Sequence, residues 1–178
     1  MVLQIIKYII IACSLSTSLF AQIWLADSCS VSFFSEAPLE DIEAHSIMPG
    51  GSTYAAYNQA TGKINFKIPM LSFRFENGLM EEHFNENYME SNKYPYATFK
   101  GKLSSEGDSI LAEGVFQVHG VTKVRNFKGR LVKDEKLILM GAFMVKTKDH
   151  KIKIPSILVK NIAEEIKVDV YCEFIQKK

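Results

Sequence analysis

The stretch IKVDVYCEF, Ile166 to Phe174, decides the fold. Ile166, Val168, Val170, Cys172 and Phe174 share one parity, and Lys167, Asp169, Tyr171 and Glu173 share the other. A period of two sends successive side chains to opposite faces, so this segment reads as a strand with one dry and one wet face. The same alternation recurs upstream. Cys29, Val31 and Phe33 alternate with serines, Ile64, Phe66 and Ile68 with Asn65 and Lys67, and Phe73 and Phe75 flank Arg74. Ile110, Ala112, Phe116 and Val118 stand against Ser109, Glu113, Gln117 and His119. Turn signals separate these runs at Pro49-Gly50-Gly51, Ala60-Thr61-Gly62, Ser105 to Asp108 and Lys133 to Glu135. About eight strands at this spacing predict an all-β sandwich or closed barrel.

Two segments depart from the alternation. Ala37 to Glu43 carries an early proline and acids, which predicts a short helix. Asn77 to Glu90 places Leu79, Met80, Phe84 and Tyr88 on one face of a helical turn or two. A transmembrane barrel is disfavoured, because Lys167, Asp169 and Glu173 would face lipid on the last strand.

The chain has 178 residues, 47% of them hydrophobic, enough for one domain with a sizeable core. Its first 21 residues, MVLQIIKYIIIACSLSTSLFA, have one early lysine, an apolar run and small residues before Gln22. That layout is a secretory signal peptide, leaving 22–178 as the mature domain, periplasmic or secreted. A lipoprotein cleavage at Cys13 is the rival reading, set aside because few apolar residues separate Lys7 from that box. Lysine plus arginine number 21 and aspartate plus glutamate 20 over the full chain, with no basic cluster, so nucleic acid is not an expected partner.

Candidate chemistry is thin. None of His45, His83, His119 and His150 stands three or four residues from another histidine or a cysteine, so no compact metal motif is expected. His83 lies among Glu81, Glu82 and Glu86, which a solvated helix face explains. No nucleophile elbow or phosphate-cradling glycine loop is present, and parity puts His119 on the outside. No catalytic residue is assigned. Cys29 and Cys172 both fall on the apolar parity, near the start of the first strand and the end of the last. In an up-and-down barrel those strands pair, which allows a disulfide; two buried thiols out of bonding distance is the other reading.

The run Leu137 to Val145 is apolar on both parities, unusual for a strand wet on one side. It is either covered on its outside or reaches a partner, which makes a homodimer or a docked partner the alternative function: a structural module with a filled core.

The string AEGVFQVHGVTK, Ala112 to Lys123, and the upstream HFNENYMESNKYPYATFKG, His83 to Gly101, together resemble YceI-like proteins. The opening strand Val31-Ser32-Phe33 and the closing blocks from Lys153 and Ile166 fall in the matching order. The resemblance implies an extended eight-stranded antiparallel lipocalin-like barrel with one or two short helices, exported, holding a long isoprenoid lipid in its lumen. It implies no enzyme activity and no cofactor beyond that lipid, with membrane-surface contact for lipid exchange. Two departures stand out: Met80-Glu81-Glu82-His83 replaces the family's arginine-aspartate pair, and the segment at Lys148-Asp149-His150 lacks its arginine motif. The stretch Glu36 to His45 reads as an insert of a subgroup.

The lumen candidates are the inward-parity residues Phe33, Ile64, Phe66, Ile68, Phe73, Phe99, Phe116, Val118, Leu139, Phe143, Val168 and Val170. Proline at 95 pushes Tyr94 toward an extended conformation and ends the helical segment there. Phe84 and Tyr88 are then expected to pack inward while Glu86 and Glu90 stay wet, and Gly120 to permit a tight turn.

Overall fold

The computed structural model describes residues 23–49, 54–155 and 160–177. The proposed leader, Cys13, and the turn glycines Gly50 and Gly51 lie outside these residues. Among the described residues nine strands run antiparallel: β1 Ile23–Glu36, β2 Asp41–Pro49, β3 Ala55–Asn58, β4 Lys63–Pro69, β5 Tyr96–Glu106, β6 Ser109–Val118, β7 Val121–Lys133, β8 Leu137–Lys146 and β9 Glu165–Gln176.

Consecutive strands from β3 to β9 are neighbours, and β9 pairs with β1 from Trp24–Gln176 to Phe34–Lys167. The first residues of β1, Ile23 to Leu25, pair with β3 and close the circle. Eight strands therefore make a closed barrel, which leaves no free sheet edge in the circuit except where a ladder stops short. The extra strand is β2. It lies beside the later part of β1, from Ser28–Pro49 to Glu36–Asp41.

This hairpin corrects the helix expected over Ala37 to Glu43. Residues 37–40 form the bend, and the chain is extended from Asp41 onward. Ile42, Ala44 and Ser46 are buried and alternate with Asp41, Glu43 and His45. Small and polar inward residues hid that period, and the early proline serves the bend rather than a helix. Glu36 to His45 forms the turn and the first part of the outer arm of this hairpin. The strand expected around Phe73 and Phe75 is also corrected. A 3-10 turn at Met70–Ser72 leads into a single bridge between Arg74 and His45. Both aromatic rings still turn into the barrel.

A helical brace forms within Asn77 to Glu90 with Met80, Phe84 and Tyr88 turned to the barrel, while Leu79, expected on the same face, is exposed instead. Asn77 caps helix α1, Gly78–His83, its side-chain oxygen accepting from the Leu79 N–H. A π turn, Phe84–Tyr88, continues it, with the Met89 N–H donating to the Phe84 carbonyl. The extra residue in that turn brings Met89 to the barrel alongside Tyr88.

One end of the barrel is plugged by side chains. Phe174, Leu137, Trp24, Leu103 and Tyr57 are buried there, and the Trp24 indole N–H donates to Gln59 at 3.0 Å. A register shift between Ala26 and Ser28 marks a bulge at Asp27. Lys136, from the β7–β8 turn, reaches both Asp27 at 2.7 Å and Glu173 at 2.6 Å, and these hydrogen bonds raise its pKa. The bulge is thus held to the neighbouring strands. Above the plug, Cys29 and Cys172 stand directly opposite each other and are joined by a disulfide, with a Cα–Cα distance of 4.2 Å. That separation suits the closer, non-hydrogen-bonded kind of antiparallel pair.

Candidate functional site: an apolar lumen under a helical lid

The open half of the barrel holds a cavity of about 240 Å³. This exceeds the ~150 Å³ apolar cavities known to take up benzene or xenon. All twelve lumen candidates line it: Phe33 from β1, Ile64, Phe66 and Ile68 from β4, Phe73, Phe99 from β5, Phe116 and Val118 from β6, Leu139 and Phe143 from β8, and Val168 and Val170 from β9. Even spacing on each strand puts them on the inner face, where closure curves the sheet around them.

Two aromatic groups dominate the wall. Phe33 stacks on Phe84 with centroids 5.3 Å apart, and Phe73 and Phe75 meet both rings edge-on or tilted at 5.1 to 5.7 Å. Across the lumen, Phe127 lies 5.2 Å from Phe99, 5.9 Å from Phe116 and 4.0 Å from Phe143. Offset and tilted contacts of this kind are the favourable aromatic geometries.

The lid comes from the brace and the segment after β8. Met80, Phe84, Tyr88 and Met89 face the cavity from the brace; Ile152, Ile154 and Ile162 face it from the later segment. Two polar lining residues, Ser35 and Thr147, are engaged elsewhere. Ser35 accepts from the Ala163 N–H at 2.9 Å, and Thr147 donates to the Glu164 carbonyl at 3.1 Å. Apart from the Tyr88 hydroxyl on the lid side, the chamber therefore offers a guest little hydrogen-bonding capacity.

Sequence reasoning missed Phe127, Met70, Met80, Met89 and the isoleucines at 152, 154 and 162. Phe127 was legible from its alternation with Asn126 and Lys128. Arg125, on the same parity, broke the pattern because it leaves the lumen for an ion pair with Asp149. Met80 sits in α1 on the helix face read from the spacing but was not counted to the lumen, and the others sit in turns or irregular segments, where no period exists to read.

The two motifs that carried the resemblance meet at one corner. His119 does not sit on an outward strand face, as parity suggested, but in the β6–β7 turn with a positive φ of 49°. Its Nε2 lies 3.0 Å from the Glu90 carboxylate, and its Nδ1 lies 3.1 Å from the His150 carbonyl oxygen. Glu90 is thus an anchor rather than a freely solvated acid, and it also approaches Lys93 at 3.6 Å. The Tyr94 ring packs edge-on against His119, centroids 4.7 Å apart. His150 is fully buried; its Nδ1–H donates to the Val121 carbonyl at 3.2 Å, and burial lowers its pKa. This corner clamps brace, turn and lid together and does not open on the lumen. Among the described residues no cluster of His, Cys, Asp and Glu, around His83 or elsewhere, suits a metal.

A closed antiparallel wall, plugged at one end and lidded at the other around an apolar chamber, defines a lipocalin-like barrel. Comparison with known proteins narrows the class. The profile of the YceI-like domain matches residues 44–174, and the chain belongs to that family. Among solved structures, Burkholderia cenocepacia BcnA aligns with TM-score 0.69 at 13% identity, covering 82% of this chain and 95% of that one. A polyisoprenoid binding domain from Saccharophagus degradans, implicated in plant cell wall breakdown, aligns with TM-score 0.69 at 12% identity over 88% and 99%. The Campylobacter jejuni YCEI protein aligns with TM-score 0.57 at 19% identity over 68% and 78%. At these identities the likeness is one of fold. Among curated proteins, none matches the sequence.

Proposed function

We propose that this protein is an exported, non-catalytic carrier or store of a long apolar lipid of the polyisoprenoid type. The observation that carries the reading is the lumen: an unfilled chamber whose wall is mainly aromatic and aliphatic, with Ser35 and Thr147 already hydrogen-bonded. Such a wall favours hydrocarbon and penalises a polar guest left without partners. Each methylene removed from water contributes ~0.8 kcal/mol, so an isoprene unit of about five carbons contributes up to ~4 kcal/mol before ordering costs. The Saccharophagus domain, described as polyisoprenoid binding, supports the ligand class through the shared fold. The leader-like N-terminus and the Cys29–Cys172 disulfide support export to an oxidising compartment.

The alternative of a filled-core interaction module is less well supported, because side chains leave the open half of the barrel vacant. The outer face of β8 keeps Met144 exposed, while Ile138 and Met140 are half-buried.

Uptake by delipidated protein tests the proposal. Added geranylgeraniol is expected to bind at one equivalent and to be recovered chemically unchanged. Failure to bind it from dilute micelles would remove the proposal, and a chemically altered product would remove its non-catalytic part.

A further inference from the structure

The barrel wall has a slit. β7 and β8 pair only from Gly129–Gly141 to Lys133–Leu137, although β7 begins at Val121 and β8 runs to Lys146. Both strands keep their other neighbours over the unpaired length: β7 stays on β6, and β8 stays on β9. The two strands therefore part beyond the facing glycines. At the lid end the opening is bounded by the turn after β8, where Asp149 pairs with Arg125 and His150 bonds to the Val121 carbonyl. Between these limits lie residues 126–128 of β7, about 10 Å of strand at ~3.3 Å per residue.

Three further observations mark this slit as a passage. The lumen and a depression on the outer surface share Lys128, Gly129, Met140, Gly141 and Val170, so only a thin wall divides inside from outside there. Gly129 and Gly141, both on the inner parity, add no side chain to that wall. Behind them, Phe127 and Phe143 come together from opposite sides of the slit with centroids 4.0 Å apart. The outer depression is mixed, with Ser30, Ser32, Arg130 and Asp169 beside Met140 and Tyr171, and the path turns apolar at the two aromatic rings.

We propose that an apolar chain enters and leaves the lumen sideways through this slit, with Phe127 and Phe143 as its gate and the Arg125–Asp149 ion pair as its latch. The inference rests on the lumen being a lipid site. Swinging two side chains in a place without ladder hydrogen bonds disturbs less structure than lifting the lid, which is tied to the wall through Glu90, His119 and His150.

Continuing the β7–β8 register would set Asn126 opposite Met144, both outside the lumen. An Asn126→Cys, Met144→Cys protein, its native disulfide intact, can be preloaded with geranylgeraniol and bridged by a short bismaleimide. Exchange for deuterated geranylgeraniol in vesicles is then followed by mass spectrometry. Bridging is expected to slow exchange at least about tenfold while the bound lipid stays in place, as gating requires. The unbridged variant should exchange at the parental rate. Asp149→Asn, which loosens the latch, is expected to speed exchange about two- to fivefold with equilibrium uptake unchanged. Parental exchange rates in the bridged protein would overturn the portal, and no acceleration in Asp149→Asn would overturn the latch. If the parent never takes up geranylgeraniol, the lipid-binding reading itself fails, a result distinct from either.

Discussion

The ring of Tyr94 lies against Gly120 so closely that a Cβ on the glycine would stand 2.5 Å from the tyrosine Cε1. Gly120 also has a positive φ of 70°. The KYP segment and the HGVTK turn are thus two halves of one contact, far apart in sequence. Gly120→Ala meets both penalties at once, a left-handed backbone and a steric overlap. A loss of about 1–3 kcal/mol in urea unfolding is expected. Because part of the loss is the overlap, pairing it with Tyr94→Ala should cost less than the two single changes added together.

The disulfide ties the first strand of the barrel to the last across a sequence separation of 143 residues. A crosslink over so long a loop restricts the unfolded chain strongly, and removing such a bond costs about 2–5 kcal/mol. The Cys29→Ala, Cys172→Ala protein should show that loss in urea. Reductant should destabilise the parent similarly and leave the variant unaffected.

His150 gives the stability a defined acid dependence. Burial lowers its pKa in the folded protein below the ordinary ~6.5 that it regains when unfolded. In the window between the two values the unfolded chain binds the extra proton, so stability falls as pH drops below about 6.5 and levels off under the folded value. The slope from this one group is at most ~1.4 kcal/mol per pH unit. His150→Gln should remove that part of the decline in unfolding measured between pH 7 and 5. An unchanged slope would assign the acid sensitivity to other groups.

Val170 projects into the lumen from β9 beside Gly141, its partner in the β8–β9 ladder. Val170→Phe should occupy part of the 240 Å³ chamber that a guest needs. Affinity for geranylgeraniol is expected to fall at least about tenfold, equivalent to ~1.4 kcal/mol. Overpacking should limit the stability change to about 1–3 kcal/mol. Calorimetric titration and urea unfolding on the same protein separate the two effects.

Strands with a full period of two, such as Ile166 to Phe174, were legible with their inner faces, because closure leaves each residue only two directions. What escaped the reading lay where that rule lapses. β2 turns alanine and serine inward and so lacks the hydrophobic contrast that marks a face. Met70, Met89 and Ile152 reach the chamber from turns, which have no period. His119 follows the strand parity in sequence, yet the turn at Gly120 rotates it out of register into the clamp with Glu90. The slit was equally out of reach, since nothing in β7 or β8 alone says where their shared ladder stops.

Native mass spectrometry of the protein, gently purified from the cells that make it, tests the central claim most directly. The account requires a population carrying the added mass of one isoprenoid-type lipid, released on denaturation and restored by adding geranylgeraniol to the delipidated protein. A protein that is always lipid-free and takes up no added prenol would contradict it.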